Sequence, residues 1–262
     1  MAITTDIPTA DIARVVNTGA RAGFDTRKHL EHAARQARER NFQDILIVDA
    51  DAHHYESESW PDVFKYIEDP VLRHRASGTE RTGNAARAIM HQQAGNQSNA
   101  GRVIRYPRRR LEQTDDNGTP RDIQLVRREM ESIGIDYQVV FPTPMLDLGM
   151  QPDDEIEKQV SWAYSRWMTE EILPHDPKVK TMIYLPFNDP DASLRAVEYF
   201  TGKPGVVGFM VTSARYKPVH HNSYMKVYRA IEERGLPLCF HAVFYQKERI
   251  FENMNRFISV HS

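Results

Sequence analysis

The chemistry of this chain concentrates in one octapeptide, Asp49-Ala50-Asp51-Ala52-His53-His54-Tyr55-Glu56, which follows the apolar run Ile45-Leu46-Ile47-Val48. Successive side chains of an extended segment point to opposite faces, so Asp49, Asp51 and His53 share one face while Ala50 and Ala52 keep the other small. An aspartate and a histidine two residues apart supply a hard oxygen and a borderline imidazole nitrogen, a pair suited to a divalent ion such as Zn2+ or Mn2+. The competing reading is a polar strand end whose acids are simply solvated. His241 weighs against it, because in Leu236-Pro237-Leu238-Cys239-Phe240-His241 it too stands where an apolar run ends. A lone histidine there is more often a hydrogen-bonded core residue. Two strands that carry metal-capable groups to the same carboxyl edge point to a site, since α/β enzymes build theirs at that edge. Asp51, His53 and His241 are therefore candidate metal-binding groups, with a solvated strand end as the alternative. Asp49 is expected to support them by hydrogen bonding. Glu56 is a weaker candidate whose parity differs from that of His53 unless the chain turns. Arg215, just past a later strand, is placed to bind a substrate carboxylate through its guanidinium.

The elements that must position these residues read as alternating strands and helices. Residues 1–44 form a peripheral helical arm, with Leu30, Ala33, Ala34 and Ala37 at helical spacing among charged residues. It suggests a packing or oligomerisation element, so a homo-oligomer is expected. Ile45–Val48 reads as a first strand buried on both faces. A polar insertion, 57–120, interrupted by Gly78, Gly83, Gly95, Gly101 and Gly118, separates it from a regular pattern. That pattern runs through a helix from Arg121 to Ile133, a strand Tyr137–Phe141, a helix from Asp153 to Leu173 closed by Pro174, and a strand Thr181–Leu185. A helix opened by Asp189-Pro190 and running to Gly202 follows, then a strand Val206–Val211, a helix Tyr224–Arg234 ended by Gly235, and a strand Leu238–His241. Apolar strands alternating with helices imply a parallel sheet covered by helices. No glycine-rich turn follows the first strand, which argues against a dinucleotide fold and favours a (β/α)8 barrel, in which 45–262 form the barrel domain. At roughly 30 residues per unit only the first five βα units are accounted for, so the expectation is a barrel whose remaining strands lie beyond Ser262.

Val48-Asp49-Ala50-Asp51-Ala52-His53, Gly205-Val206-Val207-Gly208-Phe209 and Gly235-Leu236-Pro237-Leu238-Cys239-Phe240-His241 together resemble the amidohydrolase-related branch of the amidohydrolase superfamily. That group includes aminocarboxymuconate-semialdehyde decarboxylase and the resorcylate-type decarboxylases. The resemblance covers about residues 45 to 245 and implies a TIM-barrel enzyme with one catalytic divalent ion. It assigns Asp51 and His53 to the first-strand metal motif and His241 to the fifth-strand ligand. The family's sixth-strand catalytic histidine and eighth-strand metal-binding aspartate have no counterpart in these 262 residues, so the catalytic residues are unknown. The reading that follows is a metal-dependent hydrolase, zinc being the first expectation and manganese the second, acting on a small carboxylate. The alternative is non-oxidative decarboxylation of an aromatic or unsaturated carboxylic acid. From another class comes an inactive barrel fragment that serves as an interaction module.

Composition narrows the remaining classes. Thirty-four basic and 36 acidic side chains leave a formal charge of −2, which gives no general attraction to nucleic acid or to an anionic membrane. No apolar run reaches the roughly 18 to 20 residues of a spanning helix, and the first residues lack the pattern of a secretory signal. A cytoplasmic location is expected. The single Cys239 rules out an internal disulfide and a multi-cysteine metal site. Arg105-Tyr106-Pro107-Arg108-Arg109-Arg110 reads as a solvated or subunit-contact face, given the acids that follow it. His54 and the pair His220-His221 are expected to be structural, Trp162 and Trp167 to be packing residues, and Pro142, Thr143, Phe187 and Asn188 to line a pocket.

Overall fold

The computed structural model describes residues 27–54, 56, 59–80, 114–212 and 217–241. Arg215 and the arginine run 105–110 lie outside the described residues. Five strands, β1 (Val48–His53), β2 (Tyr137–Phe141), β3 (Val179–Tyr184), β4 (Val206–Thr212) and β5 (Leu238–His241), form one sheet in sequence order. Every neighbouring pair is parallel. The helices are α1 (Arg27–Glu39), α2 (Trp60–Phe64), α3 (Pro70–Glu80), α4 (Arg121–Ile133), α5 (Asp154–Trp167), α6 (Pro190–Phe200) and α7 (Met225–Glu232).

Their ends follow local chemistry. Asp153 accepts the Glu155 N–H at the start of α5, and Asp189 accepts from Asp191 and Ala192 at the start of α6, with Pro190 in the first turn. After Trp167 the long helix widens into a π turn, Met168–Ile172, before Pro174 ends it within a short 3-10 turn. Gly134 closes α4 at φ 74°, and a Cβ there would meet Phe42 Cβ at 3.0 Å, so this glycine supplies both the left-handed cap and the close approach of the segment after α1.

Two apolar layers hold the helices on the sheet. Trp60, Phe64, Ile123, Met130, Val160 and Trp167 pack with Val140 and Phe141, and Val197, Phe200, Val227 and Ile231 pack with Ile183, Phe209 and Val211. Adjacent strands lie roughly 4.8 Å apart, so four steps across a flat sheet would separate β1 from β5 by roughly 19 Å. Yet His53 Nε2 on β1 and His241 Nε2 on β5 are 3.0 Å apart. The sheet is therefore curled into half of a TIM-type barrel.

One strand is not where the sequence places it. All of the apolar run expected as the first core strand except Val48 precedes the ladder: Ile45 and Leu46 are 56% and 72% exposed, and the strand begins only at Val48. Asp136 Oδ2 accepts the Ile47 N–H at 2.9 Å, while Ile47 C=O accepts from Asp136 and Tyr137, which ties the run to the turn before β2. Among the described residues β1 has only β2 as a neighbour, so apolar sequence here does not become buried sequence. No helix of the described residues is long and apolar enough to cross a membrane.

Candidate metal centre

Asp51 and His53 stand at the carboxyl end of β1, and His241 is the last residue of β5. The curl of the sheet closes the gap between them. Asp51 Oδ1, His53 Nε2 and His241 Nε2 all lie within 4.8 Å of one another. The separations are 3.2 Å from Asp51 to His241, 3.0 Å between the two imidazoles and 3.7 Å from Asp51 to His53. Ligands roughly 2.0 to 2.1 Å from a tetrahedral ion sit roughly 3.3 Å from each other, so this donor set fits a single divalent ion.

The hydrogen-bond pattern prepares His53 for that task. Its Nδ1 lies 3.1 Å from the carbonyl oxygen of Pro142. A carbonyl only accepts, so Nδ1 carries the proton and Nε2 presents its lone pair to Asp51 and His241. Burial, then the neighbouring His241, hold His53 below the usual histidine range although Asp51 pulls the other way, which favours the neutral imidazole. Phe141 walls the site, its ring centroid 6.0 Å from that of His53 and 5.2 Å from that of His241. Asp51 faces solvent, with its side chain 73% exposed.

The other candidates fall elsewhere. Asp49 Oδ1 accepts the N–H of Asp51 at 3.0 Å, at an irregularity of the β1–β2 ladder, and does not join the donor cluster. Glu56 is fully buried, and its two oxygens accept the Thr143 N–H at 2.9 Å and the Met145 N–H at 2.7 Å. Burial pushes its carboxyl up to about 7 against the opposing pull of His54 and of these two N–H groups. Pro142 and Thr143 do border the site. Phe187 instead stacks on Tyr224 at 4.0 Å, and Asn188 is buried, donating to the carbonyl of Gly149.

Sequence reasoning did not find the buried network around His54. His54 Nδ1 donates to Asp122 at 2.9 Å, Tyr164 O–H donates to His54 Nε2 at 2.6 Å, and Ser59 O–H donates to the second oxygen of Asp122 at 2.6 Å. Burial works against the charge of Asp122, but the bonds from His54 and Ser59 hold its carboxyl below the usual range. Trp167 stacks on the His54 ring, their planes 13° apart. The parity of His54 was the available signal: it points away from the cluster, and its partners come from segments far along the chain.

No protein-family profile matches this chain, and no curated protein matches it in sequence. Solved structures do resemble it. The 5-carboxyvanillate decarboxylase of Sphingomonas paucimobilis superposes with a TM-score of 0.52 at 17% identity, over 80% of this chain and 56% of that one. The 2,6-dihydroxybenzoate decarboxylase from Rhizobium gives 0.45 at 15% identity, over 81% and 55%. A dihydroxybenzoic acid decarboxylase from Polaromonas sp. JS666, with bound manganese and the inhibitor 2-nitroresorcinol, gives 0.47 at 15% identity, over 82% and 53%. The chain thus spans little more than half the length of these structures. The first of them shows the fold alone: the half-barrel is part of a TIM barrel.

Proposed function

We propose that this chain belongs to the metal-dependent enzymes of the amidohydrolase superfamily and takes part in the non-oxidative decarboxylation of an aromatic carboxylic acid. The observation that carries the reading is the convergence of Asp51, His53 and His241 at one strand edge, from two strands that a flat sheet would keep far apart. The motif does not separate hydrolysis, the first expectation, from decarboxylation; the likeness in fold to 5-carboxyvanillate decarboxylase favours the latter. Asp51, His53 and His241 would hold one divalent ion, Zn2+ or Mn2+ by the chemistry of a carboxylate and two imidazoles. When bound, that ion would polarise a carboxylate or phenolate oxygen of the substrate. The residues of the chain have separate tasks. His53 offers Nε2 because its Nδ1–H donates to the carbonyl of Pro142, Asp51 would offset part of the charge of the ion, and the Phe141 ring packs beside both imidazoles.

Elemental analysis of the purified protein tests the site, with His53→Ala and His241→Ala as controls. About one equivalent of Zn or Mn, lost in both variants, is the expected result; negligible metal, or metal that survives both changes, rejects the assignment and returns the reading to an interaction module. Release of CO2 from hydroxylated benzoates, measured beside hydrolysis of amides, esters and lactones, tests the reaction. Hydrolysis without CO2 release would reject the decarboxylase reading.

A further inference from the structure

We propose that Glu56 is a positioning residue of this centre, which sets the orientation of the Pro142–Thr143 peptide and through it the tautomer of His53. The geometry rests on a single peptide group. The carbonyl of Pro142 accepts from His53 Nδ1 at 3.1 Å, and the N–H of the same peptide, on Thr143, donates to Glu56 Oε2 at 2.9 Å. A peptide unit is planar and its C=O and N–H point in opposite directions. Rotating this one to turn the carbonyl from His53 would also pull the N–H off Glu56.

The second carboxylate oxygen removes the remaining freedom. Glu56 Oε1 accepts the Met145 N–H at 2.7 Å, so the side chain grips the turn after β2 at two points. The Thr143 hydroxyl adds a third tie, donating to the carbonyl of His54 at 2.7 Å. Two N–H donors, one on each oxygen, favour the carboxylate form, although burial works against its charge. With no exposed surface, Glu56 does not reach a substrate. Glu56 stands past the end of β1, where the chain has turned, and reaches the segment that fixes the carbonyl.

The inference rests on the metal-site reading, and its test separates the two. Nitrogen-15 NMR of the metal-free protein at about pH 8, above the ordinary histidine pKa, reports which ring nitrogen of His53 carries the proton. The wild type is expected to hold the Nδ1–H tautomer almost alone. Glu56→Gln keeps one acceptor oxygen but turns an NH2 group toward the other N–H; it is expected to populate both tautomers and to weaken Mn2+ binding about tenfold, as loss of an outer-shell partner does. Glu56→Asp, charged but one methylene shorter, is expected to act in the same direction and serves if the glutamine variant does not fold. Mixed tautomers in the wild type, or an unchanged tautomer in either folded variant, overturn the positioning role, even where Mn2+ affinity falls. Failure of the wild type to bind Mn2+ while the variants still shift the tautomer overturns the metal reading and upholds the positioning.

Discussion

The two outer strands of the sheet and the three between them are built on opposite terms. On β2, β3 and β4 the residues Val140, Phe141, Val179, Ile183, Phe209 and Val211 are almost fully buried. On β1 only Ala52 is buried, and all four residues of β5 are half-buried. Yet β1 and β5 carry the whole donor cluster, and the middle strands carry none of it. The middle of the sheet supplies the curvature that brings His53 and His241 together, at roughly 1.5–3 kcal/mol for each large apolar side chain buried. The outer strands supply the donor groups, of which Asp51 is exposed and the two imidazoles are largely covered. Stability and chemistry are thus assigned to different strands of one sheet, and substitutions can show whether they are separable.

The largest expected effect is on the chemistry side. His241→Ala removes one of three ligands and should lower Mn2+ affinity by more than the roughly 10- to 100-fold typical of an outer-shell partner, while the denaturation midpoint of the metal-free protein hardly moves. Isothermal titration and urea unfolding of the same preparation check both halves. A variant that unfolds as readily as a core mutant would show that the cluster also holds the half-barrel closed. The reciprocal change is Phe209→Ala on β4, at a fully buried position. It should cost about 3–5 kcal/mol in urea unfolding, and metal binding should weaken only to the extent that the folded population falls. A specific loss of affinity in protein that is still folded would break the separation.

A third change probes the middle region by charge. Glu157, on α5, is 1% exposed, and burial pushes its carboxyl up to about 8 against the pull of Asn188. The folded state therefore keeps a proton that the unfolded chain releases near its ordinary value of 4.5. The stabilising contribution of this retained proton is complete below that value and is lost as pH rises through about 8. Glu157→Gln stays neutral throughout, so its stability relative to wild type should rise across this window by on the order of a few kcal/mol. Urea unfolding at pH values on either side of the window measures it. A difference that is flat with pH would mean that the carboxyl is already ionised in the fold.

The same division explains what the sequence revealed. The helix Arg121–Ile133 and the strands Tyr137–Phe141 and Leu238–His241 lie where the pattern predicts them, because breakers such as Gly134 and Gly235 bound the pattern. Parity sufficed to bring Asp51 and His53 to one side, and the common carboxyl edge added His241. Parity could not supply Glu56 with its partners, because Thr143 is 87 residues away and the contact is to backbone, which no side-chain pattern records. The tie between His54 and Asp122 spans 68 residues and has the same difficulty. The start of β1 was misplaced for a third reason: apolar β-branched sequence signals burial only where a neighbour exists on both sides.

That misplacement gives the smallest expected effect and the sharpest use of the comparison. Were Ile45–Val48 a core strand, Leu46→Ser would open a cavity and leave a buried hydroxyl, at a cost of several kcal/mol. With Leu46 72% exposed, the change should instead stay within about 0.5 kcal/mol, as surface substitutions do. Urea unfolding at two protein concentrations distinguishes the outcomes. A small, concentration-independent change places the run in solvent, as the described residues do. A loss of 2 kcal/mol or more would mean that this edge is covered in the native protein. Dependence on concentration would then identify the cover as a second copy, and independence would identify it as another part of the same chain, which would bring β1 under the terms that govern the middle strands.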